Sequence, residues 1–248
     1  MYCVFLILLV GALSLAHSAG AQVMAETLNW TCHDALVQAN YPTAEKVCPE
    51  AVTVAEKEGQ DTLVHAVALN NLAALYQAQG NYDQVEPLFK RALAIREQAL
   101  GSTHPDVATV LNNLAMLYQD QGNYSQAEPL FKRTLAIDEQ ALGPQHPEVA
   151  TDLNNLAGFY KTQGDYGRAE PLFKRALAIR EQAFGPAHSS VATVLNNLAA
   201  LYQAQGDYSQ AEPLCKQALA IREQALGYQH PDTEASRERL AAIRAKRK

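Results

Sequence analysis

Four asparagine pairs recur along the chain: Asn70–Asn71, Asn112–Asn113, Asn154–Asn155 and Asn196–Asn197. A carboxamide both donates and accepts hydrogen bonds, so it can satisfy either half of a peptide unit. Four histidines, His104, His146, His188 and His230, keep one interval of 42 residues. Imidazole ligates metals, but packed helices lie on the order of 10 Å apart, and two ligands must each approach a shared ion to ~2 Å. One histidine per layer cannot do this, so a loop or N-cap role is expected and no metal. Of Cys3, Cys32, Cys48 and Cys215, none falls in a zinc spacing. No nucleophile–base set or glycine-rich phosphate loop stands outside the repeating positions. The pairs Arg96–Glu97, Arg180–Glu181 and Arg222–Glu223 read as solvated helix faces. No catalytic residue and no cofactor is expected.

What must position the amides is a repeat. The 42 residues from His104 and the 42 from His188 agree at 32 positions. An earlier copy begins at Thr62 without the His-Pro opening, giving four repeats at 62–103, 104–145, 146–187 and 188–229. A fixed period of this size marks an array in which each repeat packs on its neighbours.

Each repeat reads as two helices. In the second, Pro105 suits a first helical turn, where its missing N–H is not needed. Val107, Val110, Leu111, Leu114, Leu117 and Tyr118 then form one apolar face. Gly122 stops that helix in a left-handed conformation open to glycine. Asn123 is expected to cap the next helix, with Gln126 completing a capping box. Ala127, Leu130, Phe131, Leu135, Ile137 and Leu142 are the expected buried face, ended by Gly143. Pro129, like Pro87, Pro171 and Pro213, lies inside the second helix and is expected to bend it.

The ends differ from the middle. Residues 22–61 hold a weaker copy, aligned by laying Tyr41 on Tyr82. Residues 230–248 read as a polar capping helix with a basic tail, six Lys/Arg against three Asp/Glu. At the other end, Met1 to Ala16 are almost wholly apolar and Ala19 and Ala21 form an A-x-A pattern. Residues 1–21 are therefore expected to be a secretory signal cleaved before Gln22. The apolar stretch is short for a span, although no Lys or Arg precedes it, and an uncleaved anchor is the competing reading. Cys3 precedes the stretch, which argues against a lipid anchor.

The run Leu111, Leu114, Ala115, Tyr118, Gly122, Tyr124, Ala127, Phe131 and Leu135 closely resembles the tetratricopeptide repeat, with Thr134 where that family favours Ala. Repeat one departs at Val85 and repeat four at Cys215. The 42-residue period and the LNNLAxLY…EPLFKRALAI wording are similar to kinesin light chains and bacterial relatives. The resemblance implies an all-α fold, a right-handed α-solenoid of antiparallel helix pairs. It also implies that the first helices line a concave groove gripping an extended peptide, with Asn70, Asn71, Asn112, Asn113, Asn154, Asn155, Asn196 and Asn197 against its backbone. On the same face Thr109, Thr151 and Thr193, then Gln77, Gln119, Lys161 and Gln203, are expected. Asp120, Met116, Ala74, Gly158 and Ala200 would set local specificity. With Lys161 nearly alone, a clamp for a C-terminal carboxylate is not expected. The competing reading is that the asparagines only tie neighbouring repeats together.

By the same alignment Cys32 falls on Ala73 and Cys48 on Phe89, both core positions. A disulfide between them is expected in an oxidising compartment, and Cys215, at a Phe position, is expected to be a buried inert thiol. The net charge is −6, with no basic footprint for nucleic acid. The expected protein is exported, periplasmic or secreted, without a membrane span after cleavage. It would hold a protein or peptide ligand. The alternative is a structural part of an envelope assembly, with contacts through the convex face or the ends.

Overall fold

The computed structural model describes residues 20, 22–58 and 62–247, and the regular structure among them is helical. Ala21, at the expected cleavage point, and Cys3 lie outside the described residues. The chain divides into two compact halves, one ending at Gly122 and the other beginning at Asn123.

The N-terminal half contains α1 (22–37), α2 (Tyr41–Glu58), α3 (Leu63–Ala78), α4 (Tyr82–Leu100) and α5 (Pro105–Asp120). Cys32 on α1 and Cys48 on α2 are joined by a disulfide and are fully buried with Ala35, Ala44, Leu72 and Leu75. Closing a loop across 16 residues limits the unfolded chain and contributes about 3 kcal/mol in the entropic account. This bond ties the part of the chain whose repeat wording is weakest.

The C-terminal half contains α6 (Tyr124–Leu142), α7 (Pro147–Thr162), α8 (Tyr166–Phe184), α9 (Ser189–Gln205), α10 (Tyr208–Leu226) and α11 (Pro231–Arg247). Helix α11 packs against α10 and buries Leu240, Ile243, Thr233 and Ser236. Phe159 is fully buried among Tyr124, Phe131 and Tyr160, with ring centroids 5.9, 5.4 and 5.5 Å away.

Local chemistry sets the helix ends. The Nδ1 atoms of His104, His146 and His188 accept from the backbone N–H two residues on, at 3.1 to 3.2 Å, and so cap α5, α7 and α9. His230 does the same for Asp232. The capping box expected at Asn123 does not form: Asn123 stands at the N-cap, but its side chain does not cap α6. In the next two repeats Asp165 and Asp207 replace it, and each accepts from the N–H three residues on. Gly122 and Gly206, at φ of 74° and 79°, occupy the left-handed region that a side chain would strain. A second expectation also fails: Leu142 is 38 % exposed, because it sits in the last turn of α6, beyond the packed face. Leu130 and Leu135 are half-buried.

One joint recurs where α4 meets α5, α6 meets α7 and α8 meets α9. Tyr118 Oη donates to Glu86 at 2.9 Å, Tyr160 to Glu128 at 2.9 Å and Tyr202 to Glu170 at 2.8 Å. Each glutamate also pairs with the lysine four residues on, Lys90, Lys132 or Lys174. The lysine and the tyrosine hydroxyl hold these carboxyls below the usual range. At the last joint Arg244 takes the tyrosine's place on Glu212. A neighbouring contact is carried by arginine: Arg96 donates to the Asp106 carbonyl and Arg222 to that of Asp232.

Repeat two breaks that series. Asp138 stands where the others have Arg96, Arg180 and Arg222, and it meets Asp152 on α7, where repeats two and four have Val110 and Val194. Both carboxyls are more than nine-tenths buried, at 8 % and 6 % exposure. They hydrogen-bond each other, with Asp138 Oδ1 and Asp152 Oδ2 left without a partner. Burial, followed by the charge of Asp138, pushes Asp152 up to about 8.

Candidate peptide-binding face

The asparagines lie on the first helix of each repeat, directly ahead of the buried Leu72, Leu114, Leu156 and Leu198. In the N-terminal half Asn113 Nδ2 on α5 donates to Asn70 Oδ1 on α3 at 3.0 Å. Asn71 Nδ2 on α3 makes the same step one repeat earlier, to the Asn29 carbonyl on α1, at 3.2 Å. In the C-terminal half Asn197 Nδ2 on α9 donates to Asn154 Oδ1 on α7 at 2.9 Å. The second asparagine of a repeat therefore bonds the first asparagine position of the repeat before it. Asn196, 7 % exposed, turns the other way and donates to Ser236 on α11 at 2.7 Å.

These bonds realise the tie between repeats, yet they do not remove the amides from the surface. Asn70, Asn112, Asn113, Asn154, Asn155 and Asn197 are half-buried, while Asn71 and Asn196 are buried. An amide has two N–H groups and an oxygen with two lone pairs, so an Asn113–Asn70 bridge still has capacity for a ligand backbone. Gln77 donates to Asp120 at 3.4 Å across α3 and α5. Gln119 and Gln203 are half-buried, and Gln203 Oε1 is a buried acceptor without a partner. Met116 is 43 % exposed beside Asn112, whose Nδ2 lies 3.6 Å from its sulfur. Thr109 and Thr193 donate to their own helices, and Arg180 donates to Thr151.

Two residues of this face were not singled out from sequence. Trp30 on α1 occupies the place of the second asparagine, as the alignment of Cys32 with Ala73 implies, and is 71 % exposed. Arg239 on α11 holds the same place at the other end, 42 residues after Asn197. Burial first, and then the charge of Arg239, lowers Lys161. Lys161 is thus not the lone cation there, and the face in the C-terminal half is more positive than the repeat wording implies. Cys215 is buried, and burial raises its thiol. Among the described residues no three His, Cys, Asp or Glu side chains group as metal ligands, and no helix is long and apolar enough to cross a membrane.

Helix pairs in register, with core leucines behind and asparagine bridges in front within each half, define a repeat scaffold for protein interaction. Tetratricopeptide repeat models match residues 23–98, 64–140, 106–182 and 191–232. The chain belongs to the tetratricopeptide repeat family. Among solved structures it is similar to BtubC (BKLC) from P. vanneervenii, with 28% identity and a TM-score of 0.73, over 89% of this chain and 87% of that one. A putative kinesin light chain from Podosopora anserina, with nearly identical repeats, shares the fold at 24% identity and a TM-score of 0.67, over 83% of this chain and 98% of that one.

Proposed function

We propose that this scaffold holds an extended segment of a partner protein along the first-helix face, with the asparagine rows hydrogen-bonding its backbone. The observation that carries the reading is the half-exposed amide bridge repeated in both halves, Asn113–Asn70 and Asn197–Asn154. A repeated amide contributes only about 1 kcal/mol net per hydrogen bond, but several along one peptide give useful affinity. Replacing Asn113 and Asn155 together with Ala is expected to weaken binding of a captured partner at least tenfold, about 1.4 kcal/mol. Loss of the Asn113 bridge should lower stability by about 1 kcal/mol. Calorimetric titration beside a thermal melt separates the two effects. Unchanged affinity with a lowered melting temperature would leave the asparagines as ties between repeats only.

The reading places the work outside the cytosol, after cleavage before Gln22. The apolar start of the chain and the Cys32–Cys48 bond support it, since disulfides persist in oxidising compartments. N-terminal sequencing of the protein from an exported fraction should begin at Gln22, and alkylation without reductant should modify neither Cys32 nor Cys48. An intact Met1 in cytosolic protein, with both thiols labelled, would remove this part of the reading.

A further inference from the structure

We infer that a cleft between α1 and α3 takes an apolar side chain from a cationic, extended segment of a partner protein. The inference rests on the reading of the first-helix face above and names the partner chemistry at its N-terminal end. The cleft has a volume of about 480 Å³, and its lining includes Glu26, Asn29, Trp30, His33, Val64 and Asn71. Its walls are mostly apolar, and Trp30 and Leu63 are 71 % and 39 % exposed. In the repeats that follow, asparagine fills the place of Trp30. An indole there exchanges an amide's hydrogen bonds for a broad apolar contact surface, the kind that anchors interfaces.

Two further observations select the occupant. Asn29 is 5 % exposed, and its Nδ2 donates to the Val64 carbonyl at 3.0 Å, but its Oδ1 is buried with no partner. A buried acceptor left unsatisfied is unfavourable, and a backbone N–H entering the cleft would complete it. Charge then decides what carries that N–H. Residues 22–122 hold five Lys/Arg against twelve Asp/Glu, a net of −7, whereas residues 123–248 hold fifteen against fourteen, a net of +1. Nucleic acid and anionic lipid surfaces are repelled by such a half, and a segment carrying Lys or Arg is drawn to it. A second copy bringing its own α1–α3 cleft would set two strongly acidic halves together, which disfavours a symmetric dimer through this face.

Trp30 is the chain's single tryptophan, so its emission reports the cleft alone. The probe is a seven-residue peptide alternating lysine and serine around a central leucine, titrated into the purified chain. A saturable blue shift is expected, at least tenfold weaker when glycine replaces the leucine or glutamate replaces the lysines. Glu26→Lys, at an exposed position, should weaken the lysine peptide at least tenfold while leaving the melting temperature in place. Equal responses to all three peptides, or none, would overturn the inference. So would a shift that follows protein concentration without peptide, which would give the cleft to a second copy. If Asn113→Ala with Asn155→Ala weakens partner capture while no peptide moves Trp30, the cleft fails and the amide face stands.

Discussion

Raising the pH from 5 to 8 is expected to destabilise the C-terminal half by a few kcal/mol, on the order of 1.4 kcal/mol per pH unit for one linked proton. In the unfolded chain the Asp152 carboxyl ionises near pH 4. In the folded chain burial and the adjacent Asp138 hold its proton until about pH 8. Between those values the folded state binds one more proton than the unfolded state, so stability falls as pH rises. Below pH 4 the contribution disappears, because the carboxyl is protonated in both states, and above pH 8 the penalty is complete. Glu139 and Glu148 add to the negative field at the pair, and His146 opposes it at Asp138. The lowered carboxyls of Glu86, Glu128 and Glu170 remain ionised through this window and do not offset the trend. Asp152→Val, which copies Val110 and Val194, should stabilise the protein at pH 8 and flatten the slope. Thermal melts at four pH values for both proteins decide it. A wild-type melting temperature that is level, or rises, from pH 5 to 8 would sink the assignment.

Phe159→Ala should cost about 3 to 5 kcal/mol, the range for deleting a buried aromatic ring. Phe159 is wholly enclosed and touches three other rings, so the cavity has no route to solvent, and the ring contacts are lost with the volume. Phe159→Leu is the informative comparison, because Leu75, Leu117 and Leu201 occupy the same position in the other repeats. A leucine keeps most of the volume, and its cost should stay below about 1.5 kcal/mol. Hydrogen exchange in α7 and α8, read beside urea unfolding, reports both variants. Similar losses for Ala and Leu would show that ring geometry, rather than volume, sets the packing there.

The helices and their core were legible because the 42-residue period presents the same apolar face four times. Leu111, Leu114, Leu117 and Tyr118 are all buried as the spacing requires. Where one residue departs from the repeat, local wording was a poorer guide. Asn123 and Asp165 hold one position, yet only the aspartate caps its helix. Trp30 was passed over although the alignment of Cys32 with Ala73 already set it on the asparagine row, because a tryptophan there breaks the asparagine wording. Arg239 was read as part of a basic tail, although the period carries it directly onto the asparagine row. Asp138 and Asp152 lie 14 residues apart in sequence, and only packing of α6 on α7 reveals that two acids share one buried space. Periodicity records what the repeats have in common, and the distinctive chemistry sits in the exceptions.

The tyrosine–glutamate joints carry a consequence for how such a gene can change length. Tyr160 and Tyr202 are 42 residues apart, as are Glu128 and Glu170, and both joints span 32 residues. Loss of residues 146–187 would bring Tyr202 against Glu128 with the same span. The same loss would remove Asp152 and set Val194 opposite Asp138. A chain one repeat shorter keeps a complete joint at the seam while discarding the paired acid.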